Sequence, residues 1–146
     1  MVDFTFDEVK KYCTAHSEAE LIGLGATMET VSAEPVWEMH SMGLRIAGRG
    51  AVEEFYRRIL GPMIRKTTGM QLRHIAYGPN FQVSERLFEV TRDDGAVIQS
   101  HGVVYLEVAD DGRIQSERFY VFGAMADEFA AALGPSFSDV PGVTRF

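Results

Sequence analysis

The chain has 146 residues, of which 46% are hydrophobic and 24% charged, and its formal net charge is −7 at pH 7. This length and composition predict a single globular domain over 1–146, and the negative charge argues against a nucleic-acid partner, whose phosphates it would repel. No apolar run reaches the ~18 residues of a membrane span, and the N-terminus lacks the basic-then-apolar order of a signal peptide. We therefore expect a cytoplasmic protein without a membrane partner.

The first part of the chain is predicted to form two helices. Thr5 and Glu8 have the spacing of a capping box, and the apolar residues that follow recur at helical intervals, which predicts a helix over 6–16. A second capping-box spacing and a second apolar stripe predict another helix over 18–31, and Pro35 prevents it from continuing.

A short strand and a third helix are predicted next. Residues 36–40 alternate between apolar and polar side chains as a strand does, and 43–50 form a loop punctuated by glycines. A broad apolar face then predicts a helix over 52–63, which the pair Gly61–Pro62 either ends or kinks.

From residue 70 onward the pattern changes to the two-residue period of strands, and Asp-Gly turns between the apolar runs indicate antiparallel hairpins. The predicted strands are 70–77, 81–91, 96–109 and 113–122. A short helix over 125–133 follows, and the tail 135–146 is expected either to be flexible or to cover a pocket. Because the helices precede a meander, the predicted fold class is α+β, with helices packed on a curved, mostly antiparallel sheet.

Three segments carry a resemblance to a known family. They are EPVWEM at 34–39, AGRGAVEEFY at 47–56 and DGRIQSERFY at 111–120. Together with the order of the elements, they make nearly the whole chain resemble the NTF2-like superfamily, in particular its SnoaL-like branch. The resemblance implies a cone-shaped fold. It leaves function open because the superfamily includes ketosteroid isomerases, limonene-epoxide hydrolases, polyketide cyclases, phenazine-pathway proteins and non-enzymatic binders.

The resemblance also implies which side chains face the interior of the cone. Residues two apart on a strand share a face, so the implied positions fall into groups along each strand. They are Trp37, Met39, Arg86, Phe88, Gly102, Val104, Glu117, Phe119 and Val121. A shift of one residue in this alignment would turn Glu117 outward to solvent, and the sequence leaves both orientations open.

The ketosteroid isomerase pattern is matched only in part. Tyr12 corresponds to the tyrosine that stabilises the oxyanion, whereas Met39 stands at the position of the base and Val104 at the position of the protonated acid. Neither Met nor Val transfers protons.

Two further enzyme patterns also lack their carboxylates. The limonene-epoxide hydrolase pattern keeps its arginine at Arg86 but has Phe88 and Phe119 at both aspartate positions. The phenazine-pathway pattern keeps its histidine at His74, and Phe119 again replaces the acid. What the resemblance implies is an aromatic and thioether pocket with one carboxylate, Glu117, whose pKa an apolar wall would raise unless Arg86 pairs with it.

These positions give two sets of candidate site residues. The candidate catalytic residues are Glu117, Arg86, Tyr12 and His74; the candidate ligand-binding residues are Trp37, Met39, His40, Phe88, Val104 and Phe119, with His40 reaching the pocket only if the chain bends after Met39. No metal-ligand spacing and no nucleotide-binding loop is present, so neither a metal nor a cofactor is expected.

Three functions are consistent with this pattern. The first is a cofactor-independent isomerase or cyclase that transfers protons on a small hydrophobic carbonyl compound. The second is a non-catalytic protein that binds or delivers such a molecule. The third is a structural role with a filled cone. Val103 and Tyr105 are expected on the outer face of the sheet, which predicts a homodimer through that face.

Overall fold

The fold consists of helices packed on one curved sheet, and the computed structural model describes residues 2–146. The helices are α1 (Phe6–Ile22), α2 (Leu24–Glu29), α3 (Arg49–Lys66) and α4 (Gly123–Leu133). The strands are β1 (Val31–Met39), β2 (Leu44–Ala47), β3 (Thr67–Gly78), β4 (Phe81–Thr91), β5 (Val97–Val108), β6 (Ile114–Val121) and β7 (Val143–Arg145). Short 3₁₀ segments span His40–Met42 and Pro135–Asp139.

The seven strands form one sheet in the order β3-β4-β5-β6-β1-β2-β7. β1 and β6 are parallel, and every other neighbouring pair is antiparallel. The long strands β3 to β6 form the predicted meander, and α1, α3 and α4 pack against its concave side. The predicted α+β class and cone-shaped architecture are therefore confirmed. No helix within the described part of the chain is long and apolar enough to cross a membrane.

The boundary between the first two helices differs from the prediction. Helix α1 continues through Ser17 to Ile22, and the break falls at Gly23, whose φ of 143° is one that residues with a side chain rarely adopt. The capping-box spacing at Ser17 was misleading because it lies inside a helix that tertiary contacts extend. Helix α1 is therefore six residues longer than predicted, and 17–22 belong to it.

Two regions that were not predicted to be strands pair with the sheet. β1 begins at Val31 and includes Pro35, which the strand accommodates because the pairing with β6 shifts register between Val31 and Val36. Leu44–Ala47, inside the predicted loop 43–50, is β2 and pairs with both β1 and β7.

The C-terminal tail is an ordered part of the sheet. Phe137 is buried in the core, and β7 pairs with β2 at the edge opposite β3. The tail was expected to be flexible or to cover a pocket. Instead, its last strand forms the edge of the sheet opposite β3. Helix α3 likewise continues through Pro62 to Lys66 rather than ending there.

Candidate active site

A cavity of about 490 Å³ lies between the helices and the concave face of the sheet. Its apolar wall comes from α3, α4 and the strands of the meander, and the side chains include Ile59, Leu60, Met63, Phe88, Val104, Leu106, Phe119, Val121, Met125 and Phe129. A cavity of this size and lining is suited to a small hydrophobic molecule.

Charged side chains face this cavity from three elements. Glu20 comes from α1, Arg86 from β4 and Glu117 from β6, and Ser17 adds a hydroxyl one turn before Glu20. Because apolar side chains form most of the wall, these groups interact in a medium where charges are weakly screened.

Glu117 is held by a hydrogen-bonded chain that extends away from the cavity. The residue is 3% exposed, and its Oε2 accepts a hydrogen bond from the hydroxyl of Tyr56 at 2.8 Å. The same hydroxyl lies 2.9 Å from Nε2 of His16 and accepts the indole N–H of Trp37 at 3.0 Å. His16, Trp37 and Tyr56 are buried, so three elements bring their polar atoms to one sealed point behind the cavity wall.

The other ring nitrogen of His16 has a defined role. Its Nδ1 lies 2.6 Å from Oγ1 of Thr30, and that hydroxyl donates its hydrogen to the carbonyl oxygen of Thr27. Thr30 must therefore accept from His16, which means that Nδ1 carries a hydrogen. The opposite nitrogen, Nε2, is left to interact with Tyr56.

Burial and neighbouring charges shift pKa values in this cluster, so that Glu20 exchanges its proton close to neutral pH. Burial, reinforced by the negative charge of Glu117, raises the pKa of Glu20 to about 7. Burial works against the charged form of His16, but its contact with Glu117 and the charge of Glu20 outweigh this and raise the pKa of the imidazole. Burial also raises the pKa of Tyr56 well above its usual value, so its hydroxyl stays neutral.

Arg86 is the positive group that faces the cavity. Its Nε donates to Oγ of Ser84 at 3.0 Å, and among the described residues it makes no ion pair. The remaining N–H groups of its guanidinium are donors for an oxygen atom of a ligand.

His16, Glu20 and Glu117 also present their ligand atoms within 4.8 Å of one another. Hydrogen bonds account for this spacing: Nε2 of His16 and Oε2 of Glu117 both contact the Tyr56 hydroxyl, which a cation would have to displace. The arrangement is that of a buried hydrogen-bond network centred on the Tyr56 hydroxyl.

Known structures share this architecture. No protein-family profile and no curated protein matches the sequence. An NTF-2 like protein of unknown function from Burkholderia xenovorans is 20% identical, with a TM-score of 0.59 over 81% of this chain and 88% of its own. A protein from Catenulispora acidiphila with a ketosteroid isomerase-like fold, in complex with trimethylamine, is 13% identical over 79% of this chain and 87% of its own, with a TM-score of 0.59. SalBIII, an epoxide hydrolase/cyclase-like enzyme in pyran ring formation in the polyether salinomycin, is 14% identical, with a TM-score of 0.63 over 96% of this chain and 97% of its own.

The chain has the NTF2-like fold. At these identities the likeness establishes the architecture, and the chemistry has to be argued from the side chains of this chain.

The NTF2-like fold brings five of the predicted site residues to one cavity. Glu117, Arg86, Phe88, Val104 and Phe119 all line it. The inward orientation of Glu117, which the sequence had left open, is the one observed, since the carboxylate is buried and reaches Tyr56.

Two candidate catalytic residues lie elsewhere. The ring of Tyr12 packs edge-to-face on Phe4 and against Gly112 in the β5–β6 turn, so its hydroxyl does not reach the cavity. His74 is on the exposed edge strand β3, its side chain is 82% exposed, and its Nδ1 contacts Glu85 at 2.7 Å. The expectation that Tyr12 and His74 face the pocket is therefore wrong. Each residue resembles a family position in the sequence, but its side chain lies outside the cavity.

Three candidate ligand-binding residues also lie outside the cavity. Trp37 and Met39 do face inward, but both are fully buried on a strand that packs against α3, and they belong to the core. The chain turns after Met39 toward the other side of the sheet, where His40 contacts Glu38 and stacks on Tyr120 at 4.3 Å between ring centres.

Three important residues were not among the sequence candidates. His16 and Glu20 are four residues apart and therefore share a helix face, a spacing that α1 preserves only because it runs unbroken past Ser17. Tyr56 belongs to the apolar face of α3, where the sequence shows a ring and gives no sign of a polar partner. A histidine on the apolar face of a helix, four residues before a glutamate, is the sequence signal that could have identified the cluster.

Proposed function

We propose that this chain is a SnoaL-like pocket protein that binds a small hydrophobic carbonyl compound and catalyses proton transfer on it, as an isomerase or cyclase without a cofactor. The observation that carries the proposal is the burial of Glu117 at the polar end of an apolar cavity, with its carboxylate hydrogen-bonded to Tyr56. A buried carboxylate in contact with a cavity is suited to removing a proton from carbon next to a carbonyl.

Each charged group that lines the cavity has a role in this mechanism. Glu117 removes and returns the proton, and the unpaired N–H groups of Arg86 stabilise the oxygen atom on which negative charge develops. Glu20, with a pKa of about 7, can deliver a proton to that oxygen or to a second carbon at neutral pH. The apolar wall excludes water and holds the body of the substrate.

A second candidate function is non-catalytic binding or delivery of the same class of molecule. The observation that favours it is that Met39, Phe88, Val104 and Phe119 occupy the positions at which the related enzyme patterns carry carboxylates. Under this proposal the cluster around Glu117 orients a carbonyl ligand without acting on it.

The proposed function can be tested with a panel of hydrophobic ketones, including 1-tetralone and 2-tetralone, incubated with the protein in D₂O. Catalysed exchange of the hydrogens next to the carbonyl is followed by ¹H NMR. Glu117→Gln is expected to lower the exchange rate by about 10²–10⁴-fold, since it keeps the shape and removes the base. The matched control is Glu89→Gln, which changes an exposed carboxylate on β4.

Full exchange by Glu117→Gln would exclude the proposed role of this residue. Binding of ketones without exchange across the panel would instead favour the non-catalytic function.

A further inference from the structure

His16 does not line the cavity, yet it is coupled to the carboxylate that does. Its Nε2 lies 2.9 Å from the Tyr56 hydroxyl and 3.5 Å from Oε2 of Glu117, and only 1% of the residue is exposed. A buried histidine needs a structural or chemical reason, because burial disfavours its charged form.

The hydrogen atoms of this network can be assigned from its donors and acceptors. The indole N–H of Trp37 can only donate, so it occupies one acceptor site of the Tyr56 oxygen. That oxygen has one acceptor site left and one hydrogen to donate, while its two remaining hydrogen-bond partners are Nε2 of His16 and Oε2 of Glu117. These two neighbours must therefore play opposite roles.

Two arrangements satisfy every group. In the first, His16 is charged and donates from Nε2 to Tyr56, which donates to the ionised Glu117. In the second, protonated Glu117 donates to Tyr56, which donates to neutral His16. The heavy atoms keep their positions in both, and Nδ1 of His16 donates to Thr30 in both.

We propose that His16 is a proton store for Glu117, and that the two residues exchange one proton through the hydroxyl of Tyr56. The step is balanced: the Nε2–H bond of His16 breaks as that hydrogen bonds to the Tyr56 oxygen, and the original Tyr56 hydrogen moves to Oε2 of Glu117. No proton is taken from solvent. The use of this exchange in catalysis rests on the proposed function, but the exchange itself is a property of the free protein.

The groups that surround His16 determine which arrangement dominates. From α1, Glu20 lies 3.7 Å from Nε2 and Cys13 is one turn away; from β6 comes Glu117, and Tyr56 comes from α3. Arg86 on β4 also acts electrostatically on Glu20. Two acidic groups close to the imidazole favour the charged His16 in the empty protein, which leaves Glu117 ionised and ready to accept a proton.

The exchange can be tested by NMR on the free protein, labelled with ¹⁵N in histidine and ¹³C in glutamate, in buffer with EDTA. We expect Nδ1 of His16 to stay protonated at every pH. We also expect the carboxyl carbon of Glu117 to respond at the midpoint of His16, because loss of the shared proton ends both arrangements at once. In Tyr56→Phe this response should disappear, whereas in Tyr12→Phe, which removes a hydroxyl outside the cluster, it should remain.

A second variant guards against loss of folding in Tyr56→Phe. Glu117→Gln removes the partner and should lower the midpoint of His16 by at least about one pH unit. A Glu117 carbon that does not respond at the His16 midpoint in the unaltered protein, or a neutral His16 without hydrogen on Nδ1, would overturn the proposal. Because no ketone is present, either result is independent of the exchange assay for the proposed function.

Discussion

Glu20 lies between the apolar cavity and solvent, and its side chain is 27% exposed. Its pKa in the folded protein, about 7, exceeds the value of 4.5 for the free group, so between these values the unfolded chain binds fewer protons. Folding stability therefore falls as pH rises from about 4.5 through about 7. The raised pKa of His16 acts in the same direction, because the stability gained from its charged form is lost as pH rises through that pKa.

We accordingly predict that Glu20→Gln reduces the loss of stability between pH 5 and pH 8. The reduction should be on the order of 1–3 kcal/mol in the free energy of unfolding, as the rise of the pKa from 4.5 to about 7 implies for a mostly buried group. Urea unfolding at the two pH values measures it. Glu18→Gln on the exposed side of α1 is the control, and an unchanged loss in Glu20→Gln would contradict the prediction.

The sequence predicted some residues of the site and missed others. The register implied by the family resemblance placed Arg86, Phe88 and Phe119 on the cavity side, because one register fixes every residue on a strand, but it left the orientation of Glu117 open. It could not separate Trp37 from the cavity, since an inward residue becomes core or lining according to which helix covers it.

Arg49, the first residue of α3, connects three elements. Its guanidinium donates to the carbonyl oxygens of Met28 at 2.6 Å, Val31 at 2.8 Å and Ser32 at 3.2 Å, which lie at the end of α2 and the start of β1. These charged hydrogen bonds join the end of α2 and the start of β1 to α3 and so stabilise the junction.

Replacing Arg49 with Met should therefore lower the free energy of unfolding by roughly 1.5–3 kcal/mol, the range for hydrogen bonds to a charged group. Arg57→Met is the matched control on the solvent side of α3, where the ion pairs with Glu53 and Glu54 are exposed and contribute at most about 1 kcal/mol. Chemical denaturation of both variants tests this. Equal effects would mean that Arg49 does not hold the junction.

The elements that the sequence missed are those that depend on partners distant in the chain. The long strands β4 and β5 were predicted from their own alternation and from the Asp-Gly turns. By contrast, β2 has four residues and gains its hydrogen bonds from β1 and from β7, which lies almost 100 residues later. Local pattern contains no information about such pairing, and it likewise favoured a helix boundary at Ser17 over the break at Gly23.

Within residues 2–146, no helix packs on the convex face of the sheet. Val83, Leu87, Val103 and Tyr105 lie on this face and remain partly exposed, although Phe81 stacks on Tyr105 at 5.4 Å and Arg118 covers its ring. Apolar side chains that adjoin across paired strands form the kind of surface through which subunits associate.

We predict that the protein forms a homodimer through this convex face, related by a twofold axis that places the same patch on both subunits. Sedimentation at micromolar concentration should show the dimer, and Val103→Lys should weaken it at least about tenfold, because two lysines would be buried against an apolar surface. Leu72→Lys is the control, since Leu72 is exposed on β3 and pairs with Arg86, which faces the opposite, concave side. A monomer in the unaltered protein would contradict the prediction. A dimer that is lost only in Leu72→Lys would show that the subunits associate through the cavity side of the sheet instead.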